Sequence, residues 1–259
     1  MSPVSAAAVS ALRSRTGVSI LACKQALEEA NGNEELAIEI LRKRGIAQAV
    51  KKADRAQSEG AIFVAENDTK AAVLVLKCET DFVARSDDFL QMGNELAALV
   101  LSQGEDKAKQ TIQERLPAAI QKLGEHISLS EIQVLSAPSL AIYVHSNRKL
   151  AVIVGAEPAG SDHVKLKDAA MHAAALNPQY VHPDEVTEET LVKEREIWKE
   201  QLKKENKPAA IMEKIMLGKE KKFREENSFL KQAFVKDPNQ TVEQYLGPIT
   251  ISSLTRVTV

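Results

Sequence analysis

The sequence predicts an α+β fold on three observations. Two pairs of short apolar runs, 61–66 with 71–78 and 139–145 with 149–155, each enclose a brief polar turn, and each pair is followed by a stretch of helical period. This is the pattern of antiparallel sheets covered by helices, repeated in two related halves. Helical patterning also flanks the pairs, as three short helices in roughly the first 45 residues and two highly charged stretches at 187–205 and 208–226. The expected plan is a helical bundle with its linker at 1–55, a first core half at 56–138, and a second at 139–182 with 228–259. A protruding helical hairpin at 183–227 completes it.

Taken in order, 4–15 is an Ala-rich helix ending at Thr16-Gly17. The stretch 19–30 is a second, with Ile20, Cys23, Leu27 and Ala30 at helical spacing and Asn31-Gly32 as its stop. Asn33 caps a third helix, Glu34 and Glu35 suit its positive end, and Leu36, Ala37, Ile40 and Leu41 form its stripe until Lys43-Arg44-Gly45 closes it. Small and charged residues then alternate over 46–58 as an exposed helical linker. The first pair of runs reads as a hairpin about Asn67-Asp68-Thr69-Lys70. After Ser86-Asp87-Asp88 a helix carries Phe89, Met92, Leu96, Leu99 and Val100 on one side to about 102. A shorter helix, 117–123, begins with Pro117, and 127–135 returns as a strand. The second hairpin closes over Ser146-Asn147-Arg148, with a helix at 162–176 behind it. In the charged pair, Leu191, Trp198 and Leu202 face Ile211, Ile215 and Phe223 across the break Asn206-Lys207-Pro208. The segment 234–239, a short helix at 241–246 and an alternating strand at 249–259 follow.

Composition narrows the function. The 259 residues are 44% hydrophobic but only 4% aromatic, which implies an aliphatic core, and a net charge of -2 argues against a general nucleic-acid coat. No apolar run approaches the roughly 20 residues that span a bilayer. The start, Met1-Ser2-Pro3, lacks the charged and long apolar regions of a signal peptide, so the chain is expected to be soluble, cytoplasmic and without a membrane partner. Cys23 and Cys78 suggest neither a disulfide nor a zinc site, and His126, His163 and His182 have no metal-ligand spacing. Gly218-Lys219 lacks the second glycine and the hydroxyl of a phosphate loop. With no carboxylate pair and no nucleophile beside a histidine, neither cofactor, metal nor enzymatic chemistry is expected.

The most informative segment is where the apolar run 71–76 ends in Lys77-Cys78-Glu79-Thr80-Asp81-Phe82-Val83. An acid and a large aromatic sit side by side between a strand and a helix, and such a turn can be held at fixed height against a partner. The same residues also fit a local role, with Phe82 packed under the loop and Asp81 capping the backbone. Arg13 and Arg15, beside the Thr16-Gly17 turn, suit either an acidic partner or a solvated helix face. His145 ends a strand, a position most often taken by an ordinary polar residue, and His172 reads as packing.

Several motifs together resemble the bacterial elongation factor Ts family over essentially the whole length. They are Leu12-Arg13-Ser14-Arg15-Thr16-Gly17 with Cys23-Lys24-Gln25-Ala26-Leu27 and Ala30-Asn31-Gly32, then Cys78-Glu79-Thr80-Asp81-Phe82-Val83. Met171-His172 with Asn177-Pro178, and Phe234-Val235-Lys236-Asp237-Pro238 with Thr241-Val242, complete the set. The resemblance implies a ubiquitin-associated-like bundle and exchange of guanine nucleotide on elongation factor Tu, met GDP-bound and nucleotide-free, in the elongation phase of protein synthesis. It implies that Thr80, Asp81, Phe82 and Val83 displace Mg²⁺ from the Tu site. It implies too that Leu12, Arg13, Thr16, Gly17 and His145 touch Tu, while the sequence leaves open whether the helical hairpin pairs two copies. Two departures stand out. Relatives often carry a glycine where Ser146 follows His145. Many also continue into a C-terminal helix that touches Tu, a contact expected to be absent here because the chain stops at Val259. The competing expectation is a protein-binding adaptor that leaves nucleotide exchange untouched.

Overall fold

The computed structural model describes residues 4–204 and 209–259, so the expected break at 206–208 and the start at 1–3 lie outside the described residues. The fold is α+β and divides into two compact units, one of 1–135 with 146–149 and 258–259, the other of 136–145 with 150–257.

The first unit opens with three helices, α1 (Ala6–Thr16), α2 (Ile20–Glu29) and α3 (Glu34–Lys52), started by the side chains of Ser5, Ser19 and Asn33. Leu12, Cys23, Leu27, Ala37 and Leu41 close a small core between them. Ile20, expected in that core, is instead 57% exposed, because it sits at the first position of α2, ahead of the turn that Cys23 buries. Gly45 does not end α3. The helix runs through it, and a Cβ there would lie 3.1 Å from the Pro117 carbonyl and from Gln121 Oε1, so glycine marks a close helix crossing rather than a stop.

Strands β1 (Glu59–Glu66) and β2 (Lys70–Cys78) pair antiparallel with Phe63 opposite Leu74, and Asn67 Oδ1 accepts from the Thr69 and Lys70 amides in the turn. A one-turn helix α4 (Asp81–Ala84) leads into α5 (Asp87–Gln103), α6 (Glu105–Leu123) and β3 (Ser128–Ser136), which lies beside β2. Phe63 and Phe89 meet edge to face at 5.7 Å in the core under α5, each ring worth about 1.5–3 kcal/mol of burial. The helix expected to begin at Pro117 begins twelve residues earlier, at Glu105. Proline inside a helix costs about 3 kcal/mol, but Ala108, Ile112 and Ile120, all buried, hold both sides of Pro117 to the core.

The second unit repeats the hairpin and helix. Strands β4 (Ser139–Val144) and β5 (Leu150–Glu157) pair with Ala141 opposite Val154, and α7 (His163–Leu176), capped by Asp162, packs Leu166, Ala169, Ala170 and Ala173 into their core. His172 is fully buried in this unit, between Gln232 and the Val235 amide. The charged stretches are α8 (Glu188–Lys204) and α9 (Ala209–Asn227), with Trp198 edge to face on Phe223 at 5.8 Å and Arg195 bridging Glu188 and Glu220. Leu191, Trp198 and Leu202 are buried as expected, but Ile211 is 51% exposed, so the seam is shorter than its sequence pattern. A small ladder, β6 (Ala233–Phe234) with β7 (Asp237–Thr241), has too few residues to show a period. Then α10 (Val242–Leu246) starts with a capping box from Thr241 and Gln244, and β8 (Thr250–Thr258) joins the sheet beside β5.

Candidate functional site

The segment leaving β2 is a helical turn suspended between two caps. Thr80 Oγ1 accepts from the Val83 amide at 3.4 Å and starts α4, and Ser86 Oγ accepts from Phe89 to start α5 while donating to the Val83 carbonyl at 2.8 Å. Val83 and Ala84 point into the first core. Phe82 therefore faces the other way, with 83% of its surface open to solvent. Of the two roles the residues allowed, packing under the loop is not what Phe82 does, and the cap is Thr80 rather than Asp81. Asp81 instead pairs with Arg85 at 3.2 Å, an exposed ion pair of small energy. Beside this turn an open cleft of about 610 Å³ is lined by Asp81 and Arg85 with Glu59, Arg148 and Lys149.

The ground under the turn is polar and fully bonded. Glu125 accepts from the Glu79 and Thr80 amides, each at 3.0 Å, and from Thr80 Oγ1. In return the Glu79 carboxylate accepts from the His126 amide at 2.6 Å and from Arg55 at 3.3 Å. The His126 N–H holds the Glu79 carboxyl below its ordinary pKa, helped by Arg55 and opposed by desolvation. The Cys78 thiol donates to the Thr80 carbonyl at 3.2 Å, and burial pushes its pKa up to about 11, so it is a packed thiol and not a nucleophile at neutral pH. No sequence signal pointed to Glu125, which lies 45 residues from Thr80 and meets it only through the fold.

In the bundle, Leu12 is fully buried and holds α1 in place within the small core. Thr16 spends its hydroxyl on the Leu12 carbonyl at 2.8 Å, and Gly17 takes the left-handed conformation that ends α1. Arg15 is paired with Glu34 at 2.7 Å and Glu35 at 3.1 Å. Arg13 makes no ion pair among the described residues. It lines an open groove of about 470 Å³ with Val4, Val9, Ile20 and Lys24, and the neighbouring Leu21 is 64% exposed. His145 belongs to the second unit, is exposed at the end of β4, and shares a 2.8 Å hydrogen bond between Nδ1 and the Tyr143 hydroxyl. The positive φ in its turn falls on Arg148 at 55°, so Ser146 needs no glycine-like backbone.

The model of the family described as Elongation factor TS matches residues 79–259, well over half of the chain. The chain belongs to the elongation factor Ts family. Its match begins at Glu79 and so takes in the turn, Glu125 and His145. Among curated elongation factor Ts proteins, the one from Marinobacter nauticus is 44% identical over 248 residues, covering 93% of this chain and 85% of that relative. The elongation factor Ts of Hydrogenovibrio crunogenus is 41% identical over 271 residues, covering 99% of this chain and 91% of its own length, which brings in the bundle as well. That of Vibrio parahaemolyticus is 40% identical over 248 residues, at 95% and 87% coverage. Membership of the elongation factor Ts family makes this a protein of translation elongation.

Proposed function

We propose that this chain promotes release of GDP from elongation factor Tu by pressing the turn Thr80-Asp81-Phe82-Val83 against the nucleotide site, so that Mg²⁺ is lost and GTP can follow. Family membership supports the general exchange role in the cytoplasm. The observation that carries the finer reading is an exposed aromatic, Phe82, on a helical turn anchored by the Thr80 cap and by Val83 and Ala84. A GTPase holds GDP through backbone amides and through a cation that bridges oxygen ligands. Phe82 would part the elements around that site, and Asp81, whose Arg85 partner is itself exposed, would act on groups near the metal. Arg13 with the exposed pair Ile20 and Leu21 would dock the bundle, and His145 would add a contact from the second unit. By linkage, a factor that weakens GDP binding by a given ratio is displaced by GDP in the same ratio, each tenfold being about 1.4 kcal/mol.

The test is the release rate of a fluorescent GDP analogue from Tu, with and without the chain and with Asp81→Ala and Phe82→Ala. Acceleration that the variants lose while still binding Tu is the expected result. No acceleration by the unmodified chain would leave a binding adaptor.

A further inference from the structure

We propose that Glu125 is a positioning residue for exchange, acting through Thr80 to set the height at which Phe82 is presented. This rests on the role given above to the turn. The ladder of the first sheet stops short of the turn on both sides, since β2 ends at Cys78 and β3 begins at Ser128. Beyond the ladder, two carboxylates take over its work: Glu125 holds the amides of 79 and 80, and Glu79 holds the amide of 126. Gln57 ties the same two segments a third time, from its Nε2 to the carbonyls of Lys77 at 3.2 Å and His126 at 3.0 Å. The chain leaving β2 is thus fixed in the two residues before Asp81.

The chemistry requires a carboxylate. Glu79 N, Thr80 N and Thr80 Oγ1 all donate, and an acceptor-only group with two oxygens can satisfy the three together. Because Thr80 Oγ1 gives its proton to Glu125, its lone pairs are free to accept from Val83 and start α4. Without Glu125 that hydroxyl has a competing use, two amides lose their partner, and the single turn carrying Phe82 loses its defined start. Glutamine keeps one oxygen for the amides but sets an N–H₂ against Thr80 Oγ1, so its effect falls between.

The experiment measures release of the fluorescent GDP analogue from Tu over a range of chain concentrations, for Glu125→Ala, Glu125→Gln, Phe82→Ala and the Glu125→Ala/Phe82→Ala pair. Glu125→Ala is expected to lower the maximal rate about tenfold, because a displaced reacting geometry costs rate more than affinity. The half-saturating concentration stays within about twofold, Glu125→Gln lowers the maximal rate about threefold, and the pair loses clearly less than the product of the two single losses, since Glu125 acts through the turn that carries the ring. A normal maximal rate for Glu125→Ala, or losses that multiply in the pair, overturns the inference and leaves the turn's role standing. If Phe82→Ala itself releases GDP at the unmodified rate, the role of the turn falls and the inference with it. Should Glu125→Ala lose its helical circular dichroism, Glu125→Gln takes its place: a maximal rate equal to the unmodified chain's, or a loss that multiplies with that of Phe82→Ala, overturns the inference.

Discussion

Phe82 and Val83 are neighbours with opposite fates, and the contrast separates presentation from stability. Val83 packs on the first core, whereas Phe82 is open to solvent. Phe82→Ala should therefore leave thermal stability within about 0.5 kcal/mol, as for other surface positions, while slowing exchange to a small but measurable rate. A larger stability loss in a melting experiment would mean that the ring has a partner within the protein. Gly93 shows the reverse logic. A Cβ there would lie 2.2 to 2.4 Å from three atoms of the Phe63 ring. Gly93→Ala gains about 1 kcal/mol of helix propensity, yet overpacking costs about 1–3 kcal/mol, so the variant should melt lower. A higher melting temperature would show that Phe63 can move aside.

Among the elements, α6 carries a cost that its neighbours cover. Pro117→Ala restores an amide in the middle of the helix, and with Ala108, Ile112 and Ile120 already seated it should raise stability by about 1–3 kcal/mol in denaturant unfolding. An unchanged midpoint would mean that the helix is bent to suit the proline. The same helix explains what the sequence leaves hidden. Asn33, Ser86 and Asn67 act on amides two or three residues away, so the starts of α3 and α5 and the first hairpin turn are legible from local order. Gly45 and Pro117 look like punctuation in the sequence, but each is answered by a surface distant along the chain, and packing decides there. The candidate site divides in the same way. Its acid, aromatic and flanking cap stand together in the sequence, whereas the exposure of Phe82, the burial of Leu12 and the hold of Glu125 on Thr80 depend on contacts that no spacing encodes.

At the scale of the whole molecule, the buried proton balance lies in the second unit. His172 accepts the Val235 N–H at Nδ1, which places its own proton on Nε2 toward Gln232, and burial lowers its pKa below the ordinary 6.5. The folded ring therefore binds a proton less readily than the unfolded one. Its contribution is complete above about pH 6.5 and is lost as the pH falls through the lowered value. His172→Asn should be less stable at pH 7.5 but lose less stability on acidification below pH 6.5, read from paired melting curves. Equal slopes would exclude His172 as the titrating group.

The order of strands also sets a schedule for the emerging chain. The first sheet has all three of its strands once Ser136 has been made, whereas the second has β5 by Glu157 but receives β8 only from Thr250 onward. At about 5–20 residues per second, that interval lasts roughly 5–20 s on the ribosome. Throughout it one side of β5 shows unpaired amides and carbonyls to the crowded surroundings, an open template for another strand. A nascent chain stalled between these points would hold a finished Phe82 turn in its first unit and an adhesive edge in its second, so the hazard in making this protein lies in the half that matures later.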